Sequence, residues 1–341
     1  MRFALTAEQI DFAASLRKMG EAAKTPAVVR AWGEGEHAAG LALIRQLAEA
    51  GALGLTVTEE NGGFGAGPVE LIVAFTEIGR AAVPGPLIET AAAIPALLQA
   101  LPDVGPASEW LPDFAEGSKL GTLALPDQGA AVALDADVAD LRLVASGDRI
   151  VLASAGEIVR SVDAARRLFP LTGDDVLAEG DGVAAAIELA FDTGALAAAA
   201  QLLGAGRALL DTSVEYVKQR QQFGKPIGQY QAIKHHLANV MIGLEMAQPL
   251  LYRAALTLQD GAEAGIRARD ISAAKLAAGE AAYQAARIGL QVHGAIGYTA
   301  ECDLSLWLTK VNALRSAWGT PDLHRARIAA ALRAGSPEAA A

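Results

Sequence analysis

The stretch Tyr216 to Gln231 reads YVKQRQQFGKPIGQYQ, and its reading decides the fold of the whole chain. A helical run arrives from Leu196 and stops in turn residues, with Gly224, Pro226 and Gly228 preceding a second helical run that opens at Gln231. Arg220 stands at the end of the first helix, where a guanidinium offers a planar fork of donors and cannot lose its charge. Taken alone, such an arginine is more often a solvated charge that compensates the helix dipole.

At 341 residues the chain can bury a large core and divide into several domains, and 52% hydrophobic against 20% charged residues excludes a disordered protein. A formal net charge of −11 with no basic run argues against nucleic acid or an anionic membrane surface as partner. Cys302 is the single cysteine, so no intramolecular disulfide or multi-cysteine zinc site exists, which suits a reducing cytoplasm. His235 and His236 adjoin and point to different faces of a helix, without the spacing of a metal site. Residues 1–12 carry Arg2, Glu8 and Asp11, so no signal peptide is expected there. The apolar region Leu189 to Leu210 holds Asp192 and Arg207 and reads as a packed core helix, not a membrane span.

Upstream, helix periodicity dominates the first hundred residues. Thr6 is placed to cap a helix in which Ile10, Phe12, Ala13 and Leu16 share a face, His37 to Gly51 reads as another helix, and Pro68 to Arg80 as a third. The loop NGGFGAG at Asn61 to Gly67 lacks the strand and spacing of a phosphate-binding fingerprint and reads as a flexible connection. From about Leu111 to Ala190 short β-like runs take over: Leu120 to Leu125, Val132 to Leu134, Leu141 to Ala145, Arg149 to Ala153 and Val183 to Leu189. Helical pattern then returns, with Ile233, Leu237, Val240, Met241 and Leu244 spaced as a bundle helix requires.

Together, QRQQFGKPIGQYQ, the segment QVHGAIGYT from Gln291, and WGTP around Thr320 resemble the C-terminal signatures of acyl-CoA dehydrogenases, flavoenzymes that desaturate acyl-CoA thioesters. The loop with Glu59, Glu60, Gly62, Gly63, Gly65 and Gly67 is similar to the family's PExxGGxGxG loop, and the resemblance covers nearly the whole chain. It implies a mostly α fold with a central β domain: an N-terminal helical domain over residues 1–110, a shortened, small β-barrel-like middle domain over 111–190, and a C-terminal four-helix bundle over 191–341.

The resemblance also implies FAD as cofactor. Arg220 matches the arginine that contacts the flavin pyrophosphate, Phe223 the residue that packs by the adenosine, and Gln231 a glutamine that begins the next helix. Gln291 and Gly294 match the QxxGGxG segment near a neighbour's flavin, and Thr320 the threonine of the EGT segment by the phosphates; all are implied to belong to the part of the pocket a subunit offers across an interface. The region GTLALPDQGAAVALDADV keeps Pro126 and Gly129 but lacks the threonine, glutamate and serine of the strand and loop that face the isoalloxazine.

The resemblance implies that the family's catalytic glutamate is replaced here. Trp318 stands where many members hold it, and Gly194 where others do; an indole donates but has no basic lone pair, and glycine has no side chain. No catalytic residue is therefore assigned. Asp322, Glu301, Asp192, His293 and His324 are the possible relocated bases, each with an ordinary structural role as the alternative. The expected function is that of the glutamate-lacking, shorter subunit of a heteromeric, steroid-CoA type acyl-CoA dehydrogenase in fatty acid or steroid side-chain β-oxidation. The expected partners are an acyl-CoA substrate, a second acyl-CoA dehydrogenase subunit in a heterotetramer or a second copy of this chain, and electron-transfer flavoprotein. The alternatives are a self-sufficient homo-oligomeric dehydrogenase with a relocated base, and a flavin-free scaffold homologue.

Overall fold

The computed structural model describes residues 4–126 and 130–334; Gly129 lies outside them. Contacts divide the chain into two compact units, one of residues 1–26, 75–82 and 198–341, the other of residues 27–74 and 83–197. Helices α1 (Ala7–Ala22), α2 (Thr25–Gly33), α3 (Ala38–Glu49) and α4 (Pro68–Arg80) come first. Thr6 caps α1 as its sequence predicts: its hydroxyl accepts from Gln9 N–H while the Gln9 side chain accepts from Thr6 N–H. A π-helical turn (Glu89–Ala93) then runs into α5 (Ile94–Gln99), followed by α6 (Gly105–Glu116). Residues 111–116 are thus still helical, and the first strand begins at Gly121.

In the second unit, β1 (Gly121–Ala124), β2 (Val132–Leu134), β3 (Leu141–Ser146), β4 (Arg149–Ala155) and β5 (Leu168–Glu179) form one sheet in the order β1-β3-β4-β5-β2. Its two edges meet, because the Thr122 hydroxyl of β1 donates to the Leu134 carbonyl of β2 at 2.6 Å, so the sheet curls toward a barrel as expected. Two strand readings need correction. Val183–Leu189 is not a strand but the first two turns of α7 (Val183–Gln219), since three consecutive alanines and Glu188 favour helix over sheet. Conversely, β5 is a strand that the sequence pattern does not announce: Pro170, Gly173 and the Asp174–Asp175 pair break any alternation, and the strand exists because tertiary pairing with β2 and β4 supplies its hydrogen bonds.

The other unit is a bundle of α7, α8 (Gln231–Gln259), α9 (Ala264–His293), α10 (Leu304–Ser316) and α11 (Pro321–Ala334), with α1 and the end of α4. Small residues permit its closest helix approach: a Cβ on Gly204 of α7 would lie 1.8 Å from the Thr76 carbonyl oxygen, and one on Gly79 of α4 2.1 Å from that of Gln201. The apolar region 189–210 lies within α7. By length and hydropathy α7 matches a membrane span, yet 67% of its apolar window is buried within the protein, as a core helix requires.

One buried acid shapes the behaviour of the β-containing unit. Asp135, fully buried, accepts from the Trp32 indole N–H at 3.0 Å, while its second oxygen has no hydrogen-bond partner among the described residues. Burial pushes its carboxyl up to about 8, against the opposing pull of the Trp32 hydrogen bond and Arg166. The folded state therefore holds a proton that the unfolded chain releases near pH 4, and stability drains away as pH rises toward 8. Asp135→Asn keeps the acceptor and cannot ionise. Its stability relative to wild type should climb by several kcal/mol between pH 4 and 8, at roughly 1.4 kcal/mol for each pH step of one. Melting curves across that range check this; a pH-independent difference would refute it.

Candidate functional site

α7 ends at Gln219, and Gln221–Gln222 pairs antiparallel with Lys225–Pro226 as the short strands β6 and β7. The two residues between them, Phe223 (φ 53°) and Gly224 (φ 81°), are both left-handed, the conformation of a type I′ hairpin turn. The hairpin is braced from below: the Tyr230 hydroxyl donates to the Gln222 carbonyl, and the Lys225 ammonium sits 4.4 Å from the Tyr230 ring. It carries Phe223 into solvent at 93% exposure. Arg220, at its base, is exposed, and its guanidinium has no hydrogen bond or ion pair among the described residues.

Five of the six residues expected at the flavin come together at this end of the bundle. Val217 of α7, Leu237 of α8 and Val292 of α9 share an apolar cluster with Ile227 and Ile233, which locks the α7–α8 hairpin against the end of α9. His293 stacks on Tyr216 with ring centroids 4.1 Å apart, and its Nδ1 lies 2.7 Å from the Gly289 carbonyl oxygen. Gln231 and Gln291 are exposed. Gly294 follows with a positive φ (67°), and among the described residues no atom beyond its chain neighbours lies within 4 Å of where a Cβ would stand. The arrangement is an open floor of backbone and donors beside a projecting aromatic ring.

Thr320 stands elsewhere. It caps α11 by accepting from Leu323 N–H at 3.2 Å, and His324, one turn on, bonds to Ser272 of α9. Ser272 and Gln291 are about 28 Å apart along α9 at 1.5 Å per residue, so Thr320 and the Arg220 group serve different places. Trp318, the residue at the expected base position, shares Thr320's elbow and is partly buried with a left-handed backbone (φ 55°). Gly194 is buried inside α7 in the other unit.

Among the possible bases, Asp322 is exposed and ion-paired to Arg325 at 2.8 Å, and Glu301 is exposed. Asp192 is wholly buried. His324 has both ring nitrogens engaged, by Ser272 and the Trp318 carbonyl, and burial holds its imidazole down at about 4, so it stays neutral. Burial also lowers His293. Among the described residues no set of three metal-ligating side chains comes together. Sequence reasoning does not find what Ser272 and Lys275 do. Both are polar residues at buried positions of an alanine-rich helix, and that anomaly is their only signal.

Residues 6–118 match the acyl-CoA dehydrogenase N-terminal domain and residues 180–333 the acyl-CoA dehydrogenase C-terminal domain. The chain belongs to the acyl-CoA dehydrogenase family. It is 33% identical over 293 residues to the acyl-CoA dehydrogenase IpdE2 of Mycobacterium tuberculosis, covering 84% of this chain and 85% of that protein. Among solved structures, butyryl-CoA dehydrogenase from Megasphaera elsdenii superposes with a TM-score of 0.85 at 24% identity, over 98% of this chain and 100% of that one. The Tcur3481-Tcur3483 steroid ACAD superposes with a TM-score of 0.83 at 25% identity, over 98% and 99%. The acyl-CoA dehydrogenase fold expected from the sequence, helical at both ends around a curled sheet, is thus the fold of this chain.

Proposed function

We propose that this acyl-CoA dehydrogenase family member is the base-lacking subunit of a heteromeric enzyme, and that it completes an FAD site whose catalytic glutamate comes from a partner chain. The observation that carries the reading is a pairing of gain and loss. Arg220 and Phe223 are presented outward on a braced hairpin, the guanidinium with no partner among the described residues, while the base position holds Trp318.

The residues present fit the phosphate and adenosine end of the cofactor. Arg220 supplies an unengaged guanidinium fork, Phe223 a ring face, and Gly294 backbone that a ligand can approach closely. Gln231 and Gln291 offer amide donors from the same end. Thr320, at the other elbow, faces a different part of the cofactor or a different copy of it. FAD when bound accepts the hydride from the β-carbon of the thioester. As that hydride leaves, a carboxylate within reach has to remove the proton on the α-carbon, and the partner chain would provide it. Electron-transfer flavoprotein is the proposed acceptor.

Exposed apolar side chains support a partner of this kind. Ile242, Met246 and Leu250 recur every fourth residue along one side of α8 and are exposed, and Met241 is exposed on the helix's flank. An exposed apolar stripe is what a subunit interface leaves bare when the neighbour is removed. The likeness to a steroid ACAD favours a steroid-derived acyl-CoA thioester as substrate class.

The test is expression of this chain with and without the acyl-CoA dehydrogenase encoded beside it, followed by measurement of copurification, bound flavin and acyl-CoA-dependent dye reduction. The pair should copurify yellow and active, the single chain colourless and inactive. A stable, flavin-loaded homo-oligomer that reduces dye alone would overturn the proposal.

A further inference from the structure

The elbow between α10 and α11 is held in a conformation that its own sequence opposes. Trp318 (φ 55°) and Gly319 (φ 98°) are consecutive left-handed residues, and for a bulky side chain that conformation costs roughly 1–2 kcal/mol. α9 supplies the restraint from two points one turn apart. The Lys275 ammonium, buried, donates to the carbonyls of Leu314 and Arg315 at 2.9 and 3.3 Å and so occupies the last turn of α10. Ser272, fully buried, meets the His324 ring of α11 at 3.0 Å. The other ring nitrogen, Nε2, lies 2.9 Å from the Trp318 carbonyl oxygen.

The tautomer follows from the partners. A carbonyl only accepts, so Nε2 carries the hydrogen and Nδ1 takes one from the Ser272 hydroxyl. Burial is the main cause that keeps the ring neutral, and Lys275 and Arg327 add to it, so this pattern holds across the physiological range.

We infer that His324 is a positioning residue: through its hydrogen bond to the Trp318 carbonyl it fixes where the indole stands in the thioester site and where the Thr320 turn faces the cofactor. The functional half of this inference rests on the proposed function, whereas the positional half does not. His324→Leu removes both bonds at similar volume. His324→Gln keeps a donor for the Trp318 carbonyl and an acceptor for Ser272, and Ser272→Ala removes the bond at Nδ1, together with the hydroxyl's 3.4 Å bond from Arg327, but leaves the bond to the Trp318 carbonyl.

Two readouts separate the outcomes. Subtracting the fluorescence of Trp318→Phe isolates the Trp318 signal from Trp32, Trp110 and Trp307. In His324→Leu its quenching by acrylamide should rise about twofold as the indole leaves its packed position, while His324→Gln stays near wild type. In the copurified enzyme, His324→Leu should raise KM for the acyl-CoA about tenfold with kcat within about twofold, the pattern of lost binding and not of lost chemistry. If His324→Leu does not melt cooperatively, Ser272→Ala serves in both arms, with smaller changes of the same sign. Unchanged Trp318 quenching in the Leu variant overturns the inference, as does altered quenching with unchanged KM in an active complex. A complex that neither binds flavin nor turns over sinks the proposed function, and the quenching arm alone then decides the positioning role.

Discussion

In the proposed heteromeric enzyme, replacing the partner's catalytic glutamate with glutamine should lower kcat by about 10²–10⁴-fold, the usual worth of a positioned general base. Trp318→Ala in this chain should change kcat by less than about tenfold, because an indole has no lone pair with which to take the α-proton. The contrast tests the division of labour directly. His324, which bonds to the Trp318 carbonyl, has both ring nitrogens committed. Asp322 is exposed and paired with Arg325. If Trp318→Ala alone abolished turnover while the complex and its flavin stayed intact, the assignment of roles would be wrong.

Arg220→Ala should weaken flavin retention by the complex by about 10–100-fold, the loss expected when a charge-assisted hydrogen bond to a phosphate is removed. The guanidinium is exposed and makes no bond among the described residues, so its removal should leave the melting temperature of the isolated chain within about a degree or two. Arg220→Lys keeps the charge but not the planar fork and should fall between the two. Equilibrium dialysis of the deflavinated complex against FAD measures the effect. Equal affinity in wild type and Arg220→Ala would remove this residue from the cofactor site.

The long helices are legible in the sequence because their signals are local. Thr6 with Gln9 closes the capping box that the sequence shows, and α4 begins and ends where Pro68 and Arg80 predict. The sheet is legible only where strands are short and apolar. β5 carries two adjacent aspartates and a glycine, and only its neighbours make it a strand. The opposite failure at Val183 has the same origin, since a short run that is apolar but for Glu188 does not by its periodicity distinguish a strand from the start of a long helix.

The candidate site divides in the same way. The resemblance of local motifs to the acyl-CoA dehydrogenase family supplied the list of expected flavin-side positions and the expectation that Trp318 and Gly194 stand where a carboxylate would. Tertiary packing decided where those positions lie. The hairpin, the end of α9 and their shared apolar cluster gather Arg220, Phe223, Gln231, Gln291 and Gly294, while the length of α9 sets Thr320 apart. It also decided what holds the elbow of Trp318: Ser272, Lys275 and His324 meet only after α9, α10 and α11 have packed, and no local pattern encodes a hydrogen bond between residues 52 positions apart.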